Sequence, residues 1–72
     1  MPPLPVISGD TLVRALEKLA WRWDHTEGSH MIVISPVGQR FSVPRHRELD
    51  RGLLRKLIRQ AGLSVEDFIS LL

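Results

Sequence analysis

Gly28-Ser29-His30-Met31-Ile32-Val33-Ile34-Ser35 carries the strongest structural signal in the chain. Gly28 and Ser29 are turn residues, and from Met31 the chain runs apolar without a break to Ile34. A bilayer span needs about 20 apolar residues. A run this short has the length of a strand, and being apolar at every position it suits one flanked on both sides. His30 stands where the flexible turn meets the rigid element. A histidine so placed is held at its Cα and open at its tip, as general acid–base chemistry requires. The plain alternative is an exposed histidine edging a strand and making one hydrogen bond.

Working outward, Trp21-Arg22-Trp23-Asp24-His25 alternates apolar with polar, the period of a half-buried strand. Trp21 and Trp23 are expected to face the helices, and Arg22 and Asp24 the solvent. His25 falls at the strand end and carries no assigned role. Thr26 to Ser29 then form the turn, and Met31 to Ser35 the second strand. Pro36-Val37-Gly38-Gln39 has hairpin-turn composition, and Arg40-Phe41-Ser42-Val43 alternates again until Pro44. An apolar run between two alternating strands belongs in the middle of a three-stranded antiparallel sheet.

The flanks read as helices. Pro2, Pro3 and Pro5 keep the start extended, and Ser8 is a good N-cap with Asp10 in the first turn. Leu12, Ala15, Leu16 and Leu19 recur at helical spacing, predicting an amphipathic helix from about Gly9 to Ala20. Arg45 to Asp50, which includes His46, is a short polar connection. Leu53, Leu54, Leu57, Ile58 and Ala61 form one stripe of a second helix over Arg51 to Ala61, and Gly62 suits its C′ position. Arg51, Arg55 and Arg59 make a basic row on the other face. Ser64 to Asp67 opens a short C-terminal helix through Phe68, Ile69 and Leu72. The order helix, three strands, helix, short helix predicts an α+β sandwich with both main helices on one face of the sheet.

The 72 residues make one small domain over residues 1–72. A chain of this length buries roughly 60% of its unfolded surface, so modest stability is expected. It has no cysteine, which excludes disulfides and thiolate metal ligation and fits a reducing cytoplasm. Met1 to Pro5 lacks the regions of a signal peptide, and no membrane segment is expected. His25, His30 and His46 lack close ligand spacing, so neither a metal nor a cofactor is predicted. Arg40 to Gln60 carries seven basic residues against two acidic, while the remainder carries three against six. Basic residues crowded into one third of a chain suit either a solvated helix face or a surface for a polyanion.

Taken together, these blocks resemble the HicA-type toxins of toxin–antitoxin pairs. The resemblance rests on Leu4-Pro5-Val6-Ile7-Ser8-Gly9, Gly28-Ser29-His30, Val43-Pro44-Arg45-His46, Gly52-Leu53-Leu54-Arg55, Gln60-Ala61-Gly62-Leu63-Ser64 and Phe68. It implies a fold like a double-stranded-RNA-binding domain (dsRBD-like), cleavage of messenger RNA, silencing by a HicB-type antitoxin, and His30 as the catalytic histidine. In three places the chain departs from the family pattern. Ala20 stands where a helix-ending glycine is usual, Glu27 where a basic residue is common, and Met31 where a second histidine often follows.

RNA carries its own nucleophile, the 2′-hydroxyl, so cleavage needs proton carriers and cations but neither a metal nor a covalent enzyme intermediate. His30 is the candidate acid or base. His46 is a second candidate if its loop folds back on the turn. Ser29, Arg45, His46, Arg51, Arg55 and Arg59 are the candidate RNA contacts. Two other classes stay open: a non-catalytic RNA-binding module, and an interaction domain whose basic face meets an acidic protein.

Overall fold

A computed structural model describes residues 3–72; of the extended start, Met1 and Pro2 lie outside the described residues. Helix α1 (Gly9–Glu17) leads into strands β1 (Arg22–Glu27), β2 (His30–Ile34) and β3 (Arg40–Pro44), followed by α2 (Arg51–Gln60) and the short α3 (Val65–Ile69). The sheet is antiparallel, with β2 between β1 and β3 as the apolar run predicts.

The sheet has one covered and one open face. Met31, Val33 and Val43 are buried in the same core as Leu12, Val13 and Leu16 of α1 and Leu54, Leu57 and Ile58 of α2. Successive strand residues point to opposite faces. His30, Ile32 and Ile34 therefore belong to the other side, where the two isoleucines are only half-buried and His30 is exposed. Trp21 is buried and packs on Phe41 with ring centroids 4.8 Å apart. Trp23 pairs with Val33 and so lies on the covered side, yet at the sheet's outer margin it stays 48% exposed.

Both ends of β1 differ from the simple reading. It continues to Glu27, and β2 starts at His30, leaving only Gly28 and Ser29 as the loop. Gly28 has φ +57 while Ser29 stays at negative φ, the signs of a type II′ turn. That turn's twist matches the strands, so the ladder closes directly onto it. Within β1 the register slips: Trp23 pairs with Val33, but the next paired residue, His25, meets Ile32. Asp24 is the extra residue of a β-bulge, and the phase of the strand changes there.

The helix ends follow from caps. Ser8, Asp50 and Ser64 each accept a backbone N–H from the first turn, and Ser64 with Asp67 completes a capping box. α2 closes with Leu63 N–H on the Ile58 carbonyl and Gly62 N–H on the Arg59 carbonyl, with Gly62 at φ +77. This is a Schellman motif. α1 closes the same way, with Trp21 N–H on Leu16 and Ala20 N–H on Glu17, but its left-handed residue is Ala20 at φ +66. The last turn tightens to i→i−3 bonds at Lys18 and Leu19, so α1 ends at Glu17 rather than Ala20.

α1 also docks very closely. A Cβ on Gly9 would run into the carbonyl oxygen of Pro44, at the end of β3. Gly9 N–H instead donates to the His46 carbonyl at 2.9 Å, and Leu49 N–H donates to Ile7 at 2.8 Å. The connection after β3 thus runs along the residues that enter α1.

Two stability changes follow. Ala20→Gly relieves a left-handed alanine, which costs roughly 1–2 kcal/mol, partly offset by glycine's extra unfolded-state entropy. A gain of about 1 kcal/mol, or roughly 4–8 °C in Tm, is expected in thermal unfolding. Gly9→Ala forces α1 away from β3 and should lose about 1–3 kcal/mol in a denaturant titration.

Candidate functional site

His30 is the first residue of β2, opposite Glu27 on one neighbour and Pro44 on the other. It sits at the hairpin end of the open sheet face, exposed, with Ile32 next along the same face. Its backbone is fixed on both sides by the ladder, and the turn beside it is held too. The Ser29 carbonyl accepts the Arg45 N–H at 2.6 Å, so the post-strand connection does come back to the turn.

The most developed polar cluster of the open face adjoins His30. Both ring nitrogens of His25 meet carboxylates: Nδ1 lies 2.7 Å from Asp24 Oδ2, and Nε2 lies 2.9 Å from Glu27 Oε1. Arg22 Nη1 donates to Asp24 Oδ1 at 3.2 Å, and Arg40 Nη2 approaches Asp24 Oδ2 at 3.8 Å from β3. An imidazole with an acceptor at each nitrogen is favoured in its charged form. Glu27 first, then Asp24, accordingly raise the His25 pKa above the ordinary histidine value. In return the His25 hydrogen bond, followed for Asp24 by that of Arg22, holds both carboxyls below the usual range.

The remaining candidate residues divide between two other places. Arg45 shares the hairpin end with His30 but not its face: its Nε lies 3.4 Å from Asp10 Oδ1 in the first turn of α1. It helps line a shallow groove on the covered side with Trp23, Thr26 and Arg14. His46 is exposed, and its carbonyl anchors Gly9. Arg51, Arg55 and Arg59 are exposed along α2, beyond the core from His30. Arg55 and Arg59 border a groove with Leu4, Leu63 and Val65, so the structure does not gather the arginine row around the histidine. Among the described residues no group of three or more His, Asp or Glu is gathered to hold a metal ion. No helix there is long and apolar enough to cross a membrane.

Sequence reasoning did not set His25 on the face of His30, and the reason is the bulge. Strict alternation from Trp21 and Trp23 sends His25 toward the helices. The extra residue Asp24 shifts the phase, so that Thr26 faces the covered side with Met31, while His25 and Glu27 pair with Ile32 and His30 on the open side. A histidine with acids at i−1 and i+2 is the one local signal that was present.

A comparison with the curated proteins returned no match, and a comparison with the solved structures returned none either. Residues 9–63, from the first turn of α1 to the residue that closes α2, match the family described as the HicA toxin of bacterial toxin–antitoxin systems. With most of its length inside that match, the chain belongs to the HicA toxin family.

Proposed function

We propose that this toxin is an endoribonuclease that cleaves messenger RNA, with His30 as its general acid or base. The observation that carries the reading is the setting of His30: an exposed imidazole, rigidly based in the sheet, on the face that no helix covers. A strand of RNA lies across such a face without steric hindrance. Its 2′-hydroxyl attacks the adjacent phosphorus once a base takes the proton. Ser29 at the hairpin tip and His46 in the neighbouring connection supply hydrogen bonds to the flanking phosphates, and Arg45, turned to the other side of that end, adds charge where the strand passes the edge of the sheet. In this reading a HicB-type antitoxin silences the toxin by covering His30.

The arginine row supports a distinct role. Lying across the core from His30, Arg51, Arg55 and Arg59 hold phosphates outside the cleavage point. Taken without His30, the same row would suit a non-catalytic RNA-binding module.

His30→Ala removes a side chain with little packing, so the fold should survive by circular dichroism. Cleavage of a defined RNA should fall by about 10² to 10⁴, the usual worth of one acid–base group. Wild-type product should end in a 2′,3′-cyclic phosphate and form equally in EDTA. Equal cleavage by both folded proteins removes His30 from the chemistry; binding without cleavage by either makes the protein an RNA-binding module.

Arg55→Gln with Arg59→Gln should weaken binding alike across unrelated RNAs. The log–log salt slope should shrink by about 0.7–0.9 for each phosphate the variant no longer neutralises. An unchanged slope returns the row to a solvated helix face.

A further inference from the structure

We propose that His25 is the second proton carrier of this site, protonating the 5′-oxygen that leaves as His30 takes the proton of the attacking 2′-hydroxyl. The proposal rests on the endoribonuclease reading and extends it to a residue outside the Gly28-Ser29-His30 motif.

The placement comes from the register. His25 pairs with Ile32, and His30 lies two residues before Ile32 on the same strand, so the two histidines are diagonal neighbours on one face. Such neighbours sit roughly 7–8 Å apart at their Cα atoms, and the gap between long side chains is smaller. One phosphodiester group fits between two imidazoles so held. Had Asp24 paired with Ile32 in strict alternation, His25 would lie on the covered side and no such pair would exist.

The two histidines are also differently equipped. Cleavage by the 2′-hydroxyl needs one neutral imidazole and one imidazolium at the same pH. Asp24 and Glu27 bracket His25 at 2.7 and 2.9 Å and favour its charged form, with Arg22 and Arg40 balancing the acids from β1 and β3. His30, the titratable group facing this cluster from β2, has Glu27 across from it in the ladder. Glu27 is 71% exposed at its side chain, whereas Asp24 is half as open and tied to three partners. An arriving phosphate displaces Glu27 from Nε2, while Asp24 keeps Nδ1 and orients the ring.

The step balances without a co-reactant. The 2′-oxygen–phosphorus bond forms and the phosphorus–5′-oxygen bond breaks. The 2′ proton passes to His30, and the proton of His25 Nε2 passes to the 5′-oxygen. The products are a 2′,3′-cyclic phosphate and a 5′-hydroxyl, and exchange with water restores both imidazoles.

The test compares a normal RNA linkage with one carrying sulfur at the bridging 5′ position, whose thiolate leaves without a proton. His25→Gln should cleave the normal linkage about 10² to 10⁴ slower than wild type, yet cleave the sulfur linkage within a few-fold of it. His30→Ala should be slow on both. The wild-type pH profile should be bell-shaped and lose its alkaline limb in His25→Gln. NMR should find the His25 ring titrating above ordinary histidine, and lower in Glu27→Gln. The sign for stability agrees: the contribution of the His25 pairing is full below the ordinary histidine pKa and is lost as pH rises through the raised one. Equal losses on both linkages in His25→Gln, or no loss on either, overturn the proposal while leaving cleavage by His30 intact. A wild type that cleaves neither linkage overturns the endoribonuclease reading itself, and this proposal with it.

Discussion

The first turn of α1 lies so close to the end of β3 that only a hydrogen atom fits between Gly9 and the Pro44 carbonyl. Much of the order at the His30 end descends from this contact. With α1 seated there, Ile7 and Gly9 can hydrogen-bond the connection after β3, and that connection can hold Ser29 through Arg45 N–H. Three backbone bonds thus brace a hairpin whose side chains remain in water. Rigid backbone beneath an exposed imidazole is what orientation-dependent chemistry needs, and it is reached here without burying a charge.

A domain of this size has apolar surface for one core and little more. Both main helices contribute to it over the face of Met31, Val33 and Val43, which leaves the reverse face to half-buried Ile32 and Ile34 and to charged groups. The charged groups there are arranged in alternating sign: Arg22, Asp24, His25, Glu27, with Arg40 from the far strand. Glu27 would repel a phosphate as an isolated acid. Paired with His25 at 2.9 Å it is offset by a group whose charged form it favours, so its sign alone does not describe how the surface would meet an anion.

The architecture was legible because its determinants are local. The apolar run at residues 31–34, the alternation at 40–43, and the caps at Ser8 and Ser64 each act within a few positions, and each appears as read. The ending of α1 was legible only in part. Its stripe through Leu19 continues the helical spacing, while the stop depends on Ala20 accepting a backbone angle that the residue type does not advertise. The site was the hardest to read. The exposed placement of His30 was visible from its position between turn and strand. The separation of Arg45 and the arginine row from its face is a matter of three-dimensional packing. The placement of His25 on the same face as His30 turns on one unpaired residue in β1, which shows only once that strand is set against β2.

That unpaired residue gives the protein an unusual genetic grammar. A point substitution in β1 alters one side chain, but loss of the codon for Asp24 would join Trp23 directly to His25 and close the ladder without a bulge, each remaining residue keeping its face. Trp23 would still meet Val33 and His25 would still meet Ile32, so the tryptophan end would stay on the covered side and His25 on the open one. Loss of Thr26 instead would let Asp24 pair with Ile32 and His25 with Met31, turning His25 inward while Trp23 and Glu27 keep their places. A one-codon loss in this strand can therefore close the bulge, and its position decides which side chains the open face presents, while β2, β3 and both helices stay as they are.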